Sequence, residues 1–167
     1  MRLPVCTFDV RSGTLCPRCE PLLRSGVIDW TDLSVMRELI DLERQFPQLS
    51  EAEYVKTIRT GSIFFVLLRS RHHLSSQVKT QLERALTKKL DGPVNVVEYL
   101  GDVNQLLEQL VKPARITSIS RTWLPDGTEK LVVKVDRILS VALGVNNVAE
   151  LVRSLKGLEV EIVESAR

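Results

Sequence analysis

The longest apolar run in this sequence, Ile63-Phe64-Phe65-Val66-Leu67-Leu68, is six residues long. That length suits a strand and falls far short of the roughly 18 residues a membrane-spanning helix needs. The run is β-branched and aromatic with no polar alternation, so it predicts a strand buried on both faces. Such a strand needs partners at its edges and other layers over its faces. The flanking sequence supplies them. Residues 54–59 read as a second strand, separated from the run by Thr60-Gly61. After a polar stretch, Val78, Leu82, Ala85, Leu86 and Leu90 fall on one side of a helix over 76–90. Asp91-Gly92-Pro93 stops that helix, and residues 94–99 read as a third strand. Upstream, Asp29 or Thr31 is placed to cap a helix with Leu33, Met36, Leu39, Ile40 and Leu42 on its apolar stripe, ended by Pro47.

The second half repeats this order. Asp102 caps a helix through Leu106, Leu107, Leu110 and Val111. Strands over 115–124 and 129–135 flank the turn Pro125-Asp126-Gly127. A short helix is expected over 136–143, then the tight turn Gly144-Val145-Asn146-Asn147, a helix over 148–156 and a last strand over 158–163. Val96 and Val160 occupy equivalent strands about 64 residues apart, which points to a duplicated supersecondary unit. The expected architecture is α+β, with each half running α-β-β-α-α-β. It divides into a cysteine-bearing knuckle over 1–28, a first unit over 29–101 and a second over 102–167.

All three cysteines, Cys6, Cys16 and Cys19, lie in the knuckle. The pair in Cys16-Pro17-Arg18-Cys19 has the spacing that wraps two thiolates around one tetrahedral zinc ion. Three thiolates are one ligand short, and Asp9, Glu20, His72, His73 or a partner residue could supply the fourth. The competing readings are a disulfide from Cys6 to Cys16 or Cys19, and three buried free thiols. No βαβ context surrounds the pair, so a redox catalyst is not expected.

The 44% hydrophobic and 26% charged residues are ordinary for a globular chain. Met1-Arg2-Leu3-Pro4-Val5-Cys6 contains no leader-like apolar stretch, so the expected location is cytoplasmic. The net charge of +2 hides a segregation. Residues 54–92 carry eight Lys/Arg against two acids, and residues 31–53 carry six acids against two arginines. A basic region of this kind can meet an anion while the whole stays near neutral. There is no glycine-rich phosphate loop, no His-x-x-x-His pair and no nucleophile elbow, and no enzyme is expected. Glu159 and Glu161 share one face of the last strand, most simply a solvated one. Trp30 and Trp123 are isolated in sequence and build no stacking platform.

The order α-β-β-α-α-β is that of the type II KH fold. Val94-Asn95-Val96-Val97-Glu98-Tyr99, the helix over 103–110 and Lys112-Pro113-Ala114-Arg115-Ile116 resemble the junction between the tandem KH domains of archaeal NusA-like proteins, within a likeness over residues 54–164. The resemblance implies binding of single-stranded RNA near RNA polymerase, with roles in transcription elongation and termination. A KH unit carries Gly-x-x-Gly where its backbone meets phosphate. The matching stretch in the second unit is Gly144-Val145-Asn146-Asn147, with Asn147 expected in a left-handed conformation. In the first unit it is Leu74-Ser75-Ser76-Gln77, without glycine. The expected RNA contacts are therefore the basic residues Arg69, Arg71, His72, His73 and Lys79, together with Gly144, Asn146 and Asn147. A ribosome-associated RNA-binding protein and a protein–protein adaptor built on degenerate KH units are the alternatives.

Overall fold

In the computed structural model, which describes residues 1–61 and 63–166, six helices and six strands follow one another along the chain. They are α1 (Thr7–Ser12), α2 (Glu20–Arg24), α3 (Trp30–Leu42), β1 (Ala52–Thr60), β2 (Ile63–Ser70), α4 (Ser76–Leu90) and β3 (Val94–Glu98), then α5 (Val103–Leu110), β4 (Ile116–Trp123), β5 (Glu129–Val135), α6 (Val145–Lys156) and β6 (Glu159–Glu164). Short 3-10 turns lie at Pro47–Glu51 and Ile138–Ser140. The chain is α+β and divides into two compact units, Met1–Thr57 with Ser62–Tyr99, and Ile58–Gly61 with Leu100–Arg167. None of the described helices is long and apolar enough to cross a membrane.

The first unit is organised around the apolar run. Its sheet has the order β1-β2-β3, with β2 parallel to β3 and Val66 opposite Val96. Phe64, Val66 and Leu68 join a core with Met36 and Leu39 of α3 and Leu82 and Leu86 of α4. Phe65 and Leu67 point the other way and are fully buried too, so the strand is covered on both faces. Each such side chain contributes about 1.5–3 kcal/mol by leaving water. Val5, Val10 and Cys19 belong to the same core cluster, so residues 1–28 pack into the first unit. Helix α3 begins at Asp29, not Thr31. The Asp32 N–H donates to the Asp29 carboxylate and the Asp29 N–H donates to that of Asp32, both at 2.9 Å. The other oxygen of the fully buried Asp32 accepts from the Tyr54 hydroxyl and the Thr57 N–H, which satisfies it.

The second unit repeats the sheet order as β4-β5-β6, with β4–β5 antiparallel and β5–β6 parallel. Leu131, Val133 and Val135 alternate into its interior, and Val148, Leu151 and Val152 of α6 are buried as well. The hairpin turn forms as the sequence predicts, with Gly127 at φ +87° and the Asp126 carboxylate accepting the Thr128 N–H at 2.9 Å.

Two expectations are corrected. The helix over 136–143 reduces to one 3-10 turn, because the Asp136 carboxylate accepts the N–H groups of both Arg137 (2.8 Å) and Arg115 (2.9 Å) and holds the chain in a turn as it leaves β5. In the first unit, residues 71–75 between β2 and α4 contain no helix at all. The Leu74 N–H donates to Glu98, and the Ser75 hydroxyl caps α4 instead. The two halves therefore share helix-strand-strand-helix-strand, and the additional helical segment survives only as the 3-10 turn of the second.

Candidate metal centre and anion contacts

The knuckle draws its ligands from three short pieces of chain. Cys6 is the residue before α1, Asp9 lies within α1, and Cys16 and Cys19 bracket the turn into α2. The N–H groups of Cys19 and Glu20 both donate to the Cys16 carbonyl, at 3.0 and 2.9 Å, which folds the Cys-x2-Cys segment into a tight turn. The Cys16 N–H donates to Asp9 Oδ2 at 3.0 Å. The Cys6 N–H donates to Cys19 Sγ at 3.3 Å. The result is that one ligand atom from each of Cys6, Asp9, Cys16 and Cys19 lies within 4.8 Å of the others.

This set could hold a metal ion. The Cys6 and Cys19 sulfurs are 3.6 Å apart, close to the roughly 3.8 Å that tetrahedral geometry imposes on two thiolates each about 2.3 Å from zinc. All three cysteines are free, so the disulfide reading is not realised. Asp9 is buried and is the fourth candidate ligand. The others are engaged elsewhere: Glu20 with Arg24 at 2.8 Å, His72 with Glu51 at 3.7 Å and His73 with Glu98 at 2.7 Å. Hydrogen bonds from the Cys16 thiol and backbone, then from Cys19, hold the Asp9 carboxyl below its ordinary range. At Cys19 the Cys6 N–H favours the thiolate, but burial and hydrogen bonds with Asp9, Cys6 and Cys16 outweigh it and push the thiol up to about 12. A divalent cation reverses that balance, because it binds the thiolate and compensates the buried charge.

The basic residues of the first unit gather around the turn before α4, and acids answer them. Arg69 Nη1 lies 3.9 Å from Glu53, His72 faces Glu51, and Lys79 Nζ lies 3.8 Å from Glu98. Glu98 is buried at the end of β3 and takes the Leu74 N–H and His73 Nδ1, pinning the turn. Arg71 is exposed. This was invisible in the sequence because Glu51, Glu53 and Glu98 all lie outside the basic stretch 54–92.

In the second unit Gly144 stands at the start of α6 with φ +83°, and no side chain caps the helix. Asn146 is exposed. Asn147 is helical, not left-handed; among the described non-glycine residues Asp91 alone has positive φ. Its amide donates to the Leu143 carbonyl at 2.8 Å, and its oxygen accepts the Thr60 hydroxyl at 3.3 Å. Asn147 thus secures the turn, while among the described residues no side chain caps the start of α6.

No family model matches the chain, and no curated protein matches it. Among solved structures, 66 chains match. One is the crystal structure of APE1850, with a TM-score of 0.55 and 17% identity over 78% of this chain and 96% of that one. At that identity the likeness speaks for the fold alone.

Proposed function

We propose that this chain is a non-enzymatic, single-stranded RNA-binding protein of the NusA-like, tandem type II KH kind, acting beside RNA polymerase in elongation or termination. The observation that carries the reading is the start of α6. A glycine at positive φ opens a twelve-residue helix without a side-chain cap, an arrangement suited to a phosphate oxygen. Gly144 lets the backbone come close, Asn146 faces solvent, and Asn147 holds the turn together. Basic residues of the first unit, the exposed Arg71 among them, add sequence-tolerant affinity. The knuckle carries one zinc ion on Cys6, Asp9, Cys16 and Cys19, and its role is structural, since four protein ligands leave no open position.

The test is titration of oligouridylate with the full chain at two salt concentrations. Gly144→Val should weaken binding about tenfold, or roughly 1.4 kcal/mol. Joint reversal of Arg69, Arg71 and Lys79 to Glu should weaken it less and flatten the salt dependence. The acids around the basic turn favour a second reading, a protein–protein adaptor. Absence of RNA binding by the wild type at low salt would establish that reading over the first. A ribosomal partner in place of polymerase would appear as ribosomal proteins in the copurified fraction.

A further inference from the structure

Strand β6 is the last strand of its sheet, so among the described residues no strand neighbours its outer edge. Beside it runs α6, and a groove of about 430 Å³ lies between them, lined by Asn146, Ala149, Glu150, Arg153, Glu159 and Val160. The four helix residues sit at spacings of three and four, hence on one stripe along the groove. At its floor Val160 is half-buried, and small Ala149 on the opposite wall leaves room for a side chain. A free strand edge with a helix alongside is the geometry in which an extended peptide adds as one more strand, its backbone bonding the edge and alternate side chains entering the groove.

The charge of the groove chooses the occupant. Glu150 and Glu159 are both exposed and line it, and Glu161 follows on the Glu159 face of β6. Glu161 is partly answered by Lys130 Nζ at 2.8 Å, and Arg153 is the cation among the lining residues. A polyphosphate laid here would meet carboxylates on both walls, whereas an extended segment bearing Lys or Arg at alternate positions would place cations against them. We infer that the α6–β6 groove is a protein-docking site that takes a basic, extended polypeptide segment by strand addition to β6. This surface adjoins the RNA contact proposed at the start of α6, with Asn146 at the border of the two.

The experiment uses the full chain and three fluorescent probes: a nine-residue peptide alternating Lys and Val, an isomer of equal charge interrupted by two prolines, and oligouridylate. The alternating peptide should bind, and amide exchange along β6 should slow when it does. The proline isomer should bind at least tenfold more weakly, because proline cannot donate to a ladder. Reversing the groove, E150K with E159K, should weaken the alternating peptide at least tenfold, and the milder E150Q with E159Q should weaken it by a smaller factor in the same direction. Equal affinity for the proline isomer, undiminished affinity in both groove variants, or oligouridylate protecting the β6 amides would each overturn the inference. The last outcome would make the groove a nucleic-acid site.

Discussion

The two units share one sheet topology and differ at the point where the chain leaves the middle strand and starts a helix. In the first unit that turn is closed. Glu98 takes the Leu74 N–H, and the Ser75 hydroxyl caps α4 by accepting the Val78 N–H at 3.2 Å. In the second the turn is open, with Gly144 at the helix start and no side chain in the capping position. The same sheet order thus leads into one helix start with a side-chain cap and one, among the described residues, without. The closed turn is the one that lies within the basic stretch 54–92.

That contrast can be broken in graded steps, and the largest concerns the metal. The knuckle is built into the first core, so stripping the ion with a chelator, or making Cys19→Ser, should destabilise the first unit by at least about 3 kcal/mol, a fraction of the roughly 10–16 kcal/mol seen where small domains fold only on zinc. Amide exchange resolved by residue should show the first unit opening while the α6 and β5 amides are unchanged. Elemental analysis should find one zinc per chain before treatment and none after. Equal loss of protection in both units would mean that the knuckle does not belong to the first unit alone.

Next in size is the pin at Glu98. Glu98→Ala leaves the Leu74 N–H without its acceptor, and should lower stability by about 2–3 kcal/mol in urea unfolding. If the open turn of the second unit carries the RNA, affinity for oligouridylate should survive this change. A parallel fall in affinity would place the RNA at the closed turn. Removing the cap with Ser75→Ala should cost about 1 kcal/mol, whereas Gly144, which offers no side-chain oxygen, has no cap to lose.

The smallest effect is a pH dependence. Burial raises the Glu83 carboxyl above its ordinary range, against a lowering by the Val96 N–H it accepts at 3.0 Å and by Lys79. A carboxyl whose folded pKa is raised keeps its proton longer in the folded state, so stability falls as pH rises from the unfolded value through the folded one. Glu83→Gln should therefore stabilise the chain slightly at neutral pH, and the gain should vanish in acid, below both values. Thermal midpoints of the two proteins at pH 3.5 and 7 check this; a gain that grew in acid would contradict the sign.

Much of the fold was legible because it is written in local terms. An unbroken apolar run has to be buried on both faces, and β2 is. Apolar side chains three and four residues apart mark one face of a helix wherever they occur, and Asp102 and Asp126 act through neighbours two residues away. The Cys-x2-Cys spacing likewise declared a metal-compatible turn, since the pair of thiolates is brought together by a few dihedral angles.

What the sequence could not reveal depends on residues distant along the chain. Asp9 becomes the fourth candidate ligand because α1 turns its carboxylate toward Cys16, whereas His72 and His73, the more familiar ligand types, are drawn to Glu51 and Glu98. Glu98 lies 24 residues from the N–H it accepts, and Asp136 lies 21 from the second of its donors. Those two carboxylates decided where helices do not form, by taking backbone donors into turns. Periodicity and local propensity report what a segment prefers in isolation; a carboxylate that also takes a donor distant along the chain satisfies the backbone differently, and only the tertiary structure brings the two together.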